Sequence, residues 1–228
     1  MHFTSEQDLD AGITEREFTL GDTSGILWTP PAASTSGPVP LILMGQPGGF
    51  GIRRMYPRLS ARARSYAAKG FAAVTIELPG AGGRSPLPGA EQARADLRRA
   101  LSAGELPGED VIDRLILPLV ERAVPEWQIT LDELLSRPEI GKQVAFSGGV
   151  IAIAVRLAAI DPRVVAAGLF AGSYVPRTTI AEARQVTIPL HVLLQWDDEG
   201  NDRQMALDLF DAFGSTEKTL CANMGGHT

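Results

Sequence analysis

Apolar and polar positions follow two regimes along the chain. Residues Glu15 to Leu20 and Gly25 to Thr29 read as two short strands of a meander, parted by the turn signal Gly21-Asp22. The Pro- and Ser-rich segment from Pro30 to Pro40 lies between strand-like runs and reads as a surface loop inside one domain. From residue 41 onward, continuous apolar runs alternate with amphipathic stretches. The strand-like runs are Leu41 to Met44, Phe71 to Ile76, Gln143 to Phe146, Val165 to Phe170 and Leu190 to Leu194, with Lys218 to Asn223 as the last. Helix-like spacing covers Ser60 to Lys69, with Gly70 placed to cap it, then Gly148 to Ile160, a short Ile180 to Arg184 piece and Asp202 to Phe213. Runs that are apolar on both faces suit parallel strands covered on each side by helices. The pattern predicts an α/β chain built on a mostly parallel, doubly wound sheet.

Pro86 to Val120 breaks the alternation. It mixes arginines at 94, 98, 99 and 114 with acids at 91, 96, 105, 109, 110 and 113, and carries breaks at 88–89 and 107–108. Helical hairpins fit this composition. The stretch leaves the strand ending at Ile76, so it forms either a small lid over that end of the sheet or a solvated helical connection.

Composition narrows the class. With 228 residues, 44% hydrophobic and 21% charged, the chain suits a single domain spanning residues 1–228 with a core that needs no staples. One cysteine, Cys221, excludes an internal disulfide framework and a cysteine-rich zinc site. The net charge of −6 argues against a phosphate-binding surface, so nucleic acid is not an expected partner. The first ten residues are polar and acidic and include His2, read as part of a terminal tail. The apolar stretch Gly148 to Ile160, interrupted by Arg156, is too short to span a bilayer. These features predict a cytoplasmic protein without a membrane partner. They leave the oligomeric state open.

The candidate chemistry begins at Ala145-Phe146-Ser147-Gly148-Gly149, where a strand-like run meets a helix-like one. A serine at such a sharp turn needs small neighbours two residues either side, which Ala145 and Gly149 provide. Ser147 there is either an exposed nucleophile or the N-cap of the following helix. A serine hydroxyl needs a base, and only three histidines exist. His191 sits inside a strand run and reads as a core residue. His227, in the loop Asn223-Met224-Gly225-Gly226-His227, is the one placed like a base. Asp197 and Asp198 follow the Leu190 to Leu194 run and offer a carboxylate to orient an imidazole, or else form a solvated turn. The order serine, acid, histidine is the one expected of α/β-hydrolases.

These residues resemble the α/β-hydrolase superfamily, within its dienelactone-hydrolase-like and small serine esterase group. The likeness runs from Gly25 to His227. It includes Glu77-Leu-Pro-Gly-Ala-Gly-Gly-Arg-Ser85, similar to that group's turn after its fourth strand, and Asp161-Pro162-Arg163 after the helix that follows Ser147. The resemblance implies the α/β-hydrolase fold with a small helical insertion after the fourth strand. It implies Ser147 as nucleophile, Asp198 as acid with Asp197 as the fallback, and His227 as base. The oxyanion hole would come from the amides of Gly148 and Gly48, the latter in Gly45-Gln46-Pro47-Gly48-Gly49-Phe50-Gly51. Pro47 has no N–H to donate. Gln46, Phe50 and Trp196 are the candidate substrate-pocket residues, and Tyr56 joins them as a further aromatic. The activity implied is cleavage of a small-molecule carboxylic ester or lactone through an acyl-enzyme, with no metal or organic cofactor. Three departures from the group's pattern, Gln46 and Ala81 for histidines and Ala145 for glycine, keep a second reading open. That reading is a non-hydrolytic member of the fold, either a small-molecule binding protein or a cyclase or lyase. The resemblance also implies a last helix on the sheet after the histidine, while the sequence ends at Thr228.

Overall fold

The apolar runs pair into one sheet. In a computed structural model that describes residues 1–35, 37–198 and 200–226, the strands are β1 (His2–Leu9), β2 (Ile13–Leu20), β3 (Thr23–Thr29), β4 (Val39–Gly45), β5 (Ala72–Ile76), β6 (Ile140–Gly148), β7 (Val164–Phe170), β8 (Leu190–Gln195) and β9 (Lys218–Asn223). Their spatial order is β1-β2-β3-β5-β4-β6-β7-β8-β9. The first three strands and the β3/β5 pair are antiparallel, and every pair from β5 through β4 to β9 is parallel. Parallel neighbours need crossovers, and helices supply most of them. These are α2 (Ile52–Ala67), α3 (Ala90–Ser102), α4 (Glu109–Leu135), α5 (Ile151–Ile160), α6 (Arg177–Ala183) and α7 (Arg203–Ala212), while a single turn, α1 (Ala32–Thr35), precedes β4.

The two faces of the sheet carry separate cores. Alternating residues of β4 and β5 divide between them: Leu41, Leu43, Ala72 and Val74 meet the α4 and α5 side, and Ile42, Met44 and Ala73 meet α2. The fold expected from the pattern is the one present. Among the described residues no helix is long and apolar enough to cross a membrane.

Four local expectations change. The terminal tail is instead an edge strand: β1 pairs with β2, Arg16 bonds Glu6, and the guanidiniums of Arg16 and Arg137 lie over the Phe3 ring. It adds one strand, so the insertion follows the fifth strand in chain order. The helical hairpin is α3 with α4, yet α4 runs on to Leu135 through Pro118 and Pro125. Its second half buries Ala123, Val124, Trp127, Leu131 and Leu134 in the core, so that half is a layer of the domain. Near the site, β6 continues through Ser147 and Gly148, and α5 starts only at Ile151. Finally, His191 is exposed on a strand face and is no core residue.

Candidate active site

The loops after the parallel strands gather at one rim, and their backbones set the spacing. Gly148 and Gly149 both hold φ near +70° to +80° (69° and 77°), a conformation that glycine adopts without strain. A methyl on Gly149 would stand 2.6 Å from Gln46 N and from Gly45 Cα and carbonyl carbon. The strand end and the glycine-rich loop after β4 therefore touch backbone to backbone. A methyl on Gly48 would lie 3.4 Å from Leu119 of α4 and 3.6 Å from Val150. That packing sets the loop bearing the expected oxyanion donor between the strand end and the long helix.

Ser147 keeps strand backbone, pairing with Met44 on one side and Gly168 on the other. It is not the helix cap, because Val150 holds that place. Side chains of a strand alternate in direction. Phe146 enters the α4 side, where it meets Trp127 edge-on at 6.0 Å, and Ser147 turns toward α2. There its Oγ lies 2.7 Å from the Tyr66 hydroxyl and accepts a hydrogen bond from Arg62 Nη2 at 3.2 Å. Arg62 also donates to the carbonyls of Ser147 (2.7 Å) and Gly45 (3.1 Å). The guanidinium thus braces the ends of β4 and β6 together.

Gln46 is 1% exposed and donates through Nε2 to the Ile76 carbonyl at 2.7 Å, while its Oε1 is buried with no hydrogen-bond partner among the described residues. Phe50 is 37% exposed, with the Arg54 guanidinium 4.8 Å from its ring centroid. Arg94 of α3 reaches over Gly49, its Nη2 3.4 Å from where a methyl would sit. Glu77, at the end of β5, accepts the Ile52 N–H at the start of α2 at 3.1 and 3.2 Å. Burial pushes its carboxyl above the usual range, and that hydrogen bond and Arg84 pull it partly back. Arg84 in turn holds Glu126 of α4 through two hydrogen bonds of 2.7 and 2.6 Å, which fixes the second half of α4 to the turn after β5.

On the other side of the rim, Trp196 N–H donates to the Asn223 carbonyl at 2.8 Å and Asp197 N–H to the Gly225 carbonyl at 3.3 Å. The loop after β8 and the segment leading to His227 are thereby joined. His227 itself lies outside the described residues. Asp198 is half-buried and accepts the Gly200 N–H at 3.0 Å, whereas Asp197 is exposed. Asp202 caps α7 by accepting the N–H groups of Gln204 and Met205. Burial raises the Tyr174 phenol above its ordinary range, and the nearby carboxylates of Asp202 and Asp198 add to the effect. Trp196 is half-buried with the Arg203 guanidinium 4.6 Å from its ring. Tyr56 lies away from this rim, bonded to the buried carboxylate of Glu15. Among the described residues no cluster of three or more histidine, cysteine or acidic side chains is gathered for a metal ion.

Arg62, Tyr66 and Glu77 escaped the sequence reading as site residues. One signal pointed to the first two. Positions four apart share a helix face, so both belong beside the buried Leu59, Ala63 and Ala67 of α2, facing the sheet.

No protein-family model matches the chain, and no curated protein matches it in sequence. Solved structures do. A cold-adapted esterase from an Arctic intertidal metagenomic library superposes with a TM-score of 0.74 at 23% identity, over 100% of this chain and 92% of that one. An acetyl xylan esterase from a Thermoanaerobacterium species matches with a TM-score of 0.63 at 14% identity, over 98% and 82% of the two chains. A Klebsiella pneumoniae protein named for dienelactone hydrolase gives 0.65 at 15%, over 95% and 88%. At these identities the likeness is one of fold, and the fold is the α/β-hydrolase fold.

Proposed function

We propose that this chain hydrolyses a carboxylic ester or lactone of a small molecule, through an acyl-enzyme formed on Ser147. The observation that carries the reading is the pairing of four chain segments, two by two, at the carboxyl rim of a sheet shared with solved esterases. The end of β6 touches the glycine-rich loop, and the loop holding Asp197 and Asp198 is bonded to the segment that runs into residue 227. Ligands of open α/β sheets bind at this rim.

In this reading Ser147 Oγ attacks the carbonyl carbon and its proton passes to the His227 imidazole. Asp198 accepts from the imidazole's other nitrogen and stabilises the imidazolium, with Asp197 as the fallback. Negative charge gathers on the carbonyl oxygen, where the amides of Gly48 and Gly148 donate, each such donor being worth roughly 3–4 kcal/mol in the transition state. The intermediate collapses, the alcohol leaves with the imidazolium proton, and water repeats the sequence on the acyl group. Gln46, Phe50 and Trp196 border the substrate, α3 and the first half of α4 cover the rim, and no cofactor takes part.

One observation favours the second reading, a non-hydrolytic binding protein, cyclase or lyase. The backbone passes into positive φ at Gly148, one residue beyond the serine, so Ser147 stands beside the apex of the turn. The test is turnover of short p-nitrophenyl esters together with labelling by a fluorophosphonate. Wild type is expected to do both. Ser147→Ala and His227→Ala are expected to lose roughly a thousandfold or more in kcat, and Ser147→Ala to resist the label. Equal labelling of wild type and Ser147→Ala removes the nucleophile. No turnover while a small molecule still binds favours the second reading.

A further inference from the structure

The Ser147 hydroxyl is already engaged from below. Tyr66 OH is 2.7 Å from its oxygen and Arg62 Nη2 is 3.2 Å away. A second observation shows that this space is reserved. A methyl on Gly148 would come within 3.1 Å of Arg62 Nη2 and 3.5 Å of Nη1. The guanidinium fills the volume that a side chain at 148 would use.

Directions of donation follow from chemistry. A guanidinium only donates. Ser147 Oγ carries one proton and two acceptor sites. If that proton is given to an imidazole, as the proposed hydrolysis requires, the Tyr66 hydroxyl must be the donor in the pair. Ser147 Oγ then accepts two hydrogen bonds, one of them from a cation, and its own proton remains the one to transfer.

We infer that Arg62 and Tyr66 are positioning residues for Ser147, and that their largest effect falls on breakdown of the acyl-enzyme. This inference rests on the ester-hydrolase reading. In that step water adds to the acyl carbon and gives a proton to the imidazole. The C–Oγ bond then breaks, its electron pair returns to Oγ, and Oγ takes the proton back from the imidazolium. Charge collects on Oγ as the bond breaks. Donors aimed at it there, in a half-buried site, lower the barrier to departure. During acylation the same oxygen loses charge as it attacks, so the two donors contribute less.

The test is the acyl-enzyme formed with p-nitrophenyl acetate, measured by stopped flow and then by first-order decay. Such a decay constant does not depend on the fraction of folded protein. Tyr66→Phe keeps the ring and removes the hydroxyl. Its acyl-enzyme is expected to decay about fivefold more slowly, the usual worth of one neutral hydrogen bond. KM should fall with kcat, because acylation outruns release. Arg62→Met is expected to slow decay roughly ten- to a hundredfold, with part of the rate restored in Arg62→Lys. A Tyr66→Phe decay constant within twofold of wild type, in a wild type that does form the acyl-enzyme, overturns the assignment and leaves the hydrolase standing. A wild type that forms no acyl-enzyme, and is labelled no differently from Ser147→Ala, removes the hydrolase reading and this assignment with it.

Discussion

Gly149→Ala separates strain at the turn from strain between segments. Two costs fall on the new methyl. The backbone at φ 77° is left-handed, which costs a residue with a Cβ about 1–2 kcal/mol. The methyl would also stand 2.6 Å from three backbone atoms of Gly45 and Gln46. None of these is the end of a flexible side chain, so β6 and the loop must separate, at the roughly 1–3 kcal/mol typical of overpacking. Together the substitution should cost about 2–5 kcal/mol. Gly21→Ala is the control: its φ is 57° and nothing lies within 4 Å of the added methyl, so it pays the first cost alone. Urea unfolding followed by the emission of the buried Trp28 and Trp127 gives both values. The proposed ester turnover should fall in Gly149→Ala and hold in Gly21→Ala, because only the former moves the loop bearing Gly48. If Gly149→Ala is no less stable than Gly21→Ala, the backbone contact between β6 and the glycine-rich loop is not as described.

Two further substitutions test buried carboxylates by their pH dependence. Burial raises the Glu77 carboxyl above its ordinary value near 4.5, so the fold favours its protonated form. That contribution is complete below the ordinary value and is lost as pH rises through the raised one. Glu77→Gln copies the protonated state and retains an acceptor for the Ile52 N–H. Its stability relative to wild type should therefore climb across this window in thermal melts taken from pH 4 to pH 8. A flat difference refutes the account. Asp161 is the opposite case: hydrogen bonds from Arg163 hold its carboxyl below the ordinary value near 3.8. Its contribution is present above that value and fades as pH falls through the lowered one. Asp161→Asn should cost about 2 kcal/mol at neutral pH, since it strips a charged partner from a largely buried pair. The deficit should shrink in acid, and one that persists unchanged at pH 2 counts against the pairing.

The parallel half of the sheet was legible because its strands are apolar on both faces, a pattern surface segments do not show. Edges and joints were less so. β1 is almost wholly exposed, and nothing in Thr4-Ser5-Glu6-Gln7-Asp8 distinguishes a strand from a tail until Arg16 and Arg137 are seen around Phe3. Proline removes an intrahelical hydrogen bond, so Pro118 and Pro125 weigh against a helix that continues through them. The apolar stripe through Val124, Trp127, Leu131 and Leu134 buries enough surface on the sheet to carry α4 past both. Arg62 and Tyr66 were hidden for another reason. Spacing puts both on the sheet-facing side of α2, but a polar tip on a long stem does not show in sequence what it reaches, and only packing shows that these tips meet a strand end.

The glycine pair after Ser147 shows how a residue choice expected from one rule can rest on different physics. Small residues around a nucleophile are required because the turn there is sharp, and by that rule Gly149 is small for the sake of the serine. In the fold Gly149 is small because the backbone of Gly45 and Gln46 occupies the place of its side chain, and Gly148 because Arg62 does. Both glycines thus serve contacts between β6 and its neighbours: one admits the loop with the expected oxyanion donor, and the other admits the cation against the serine oxygen. A larger residue at 148 would displace the end of a flexible arginine, whereas one at 149 would displace main chain. Both positions carry the left-handed backbone cost of a Cβ; beyond it, substitutions at 148 should act on the reactivity of Ser147, and substitutions at 149 should add the cost of parting main chain from main chain. That division follows from which atoms stand nearest, and the family pattern by itself does not contain it.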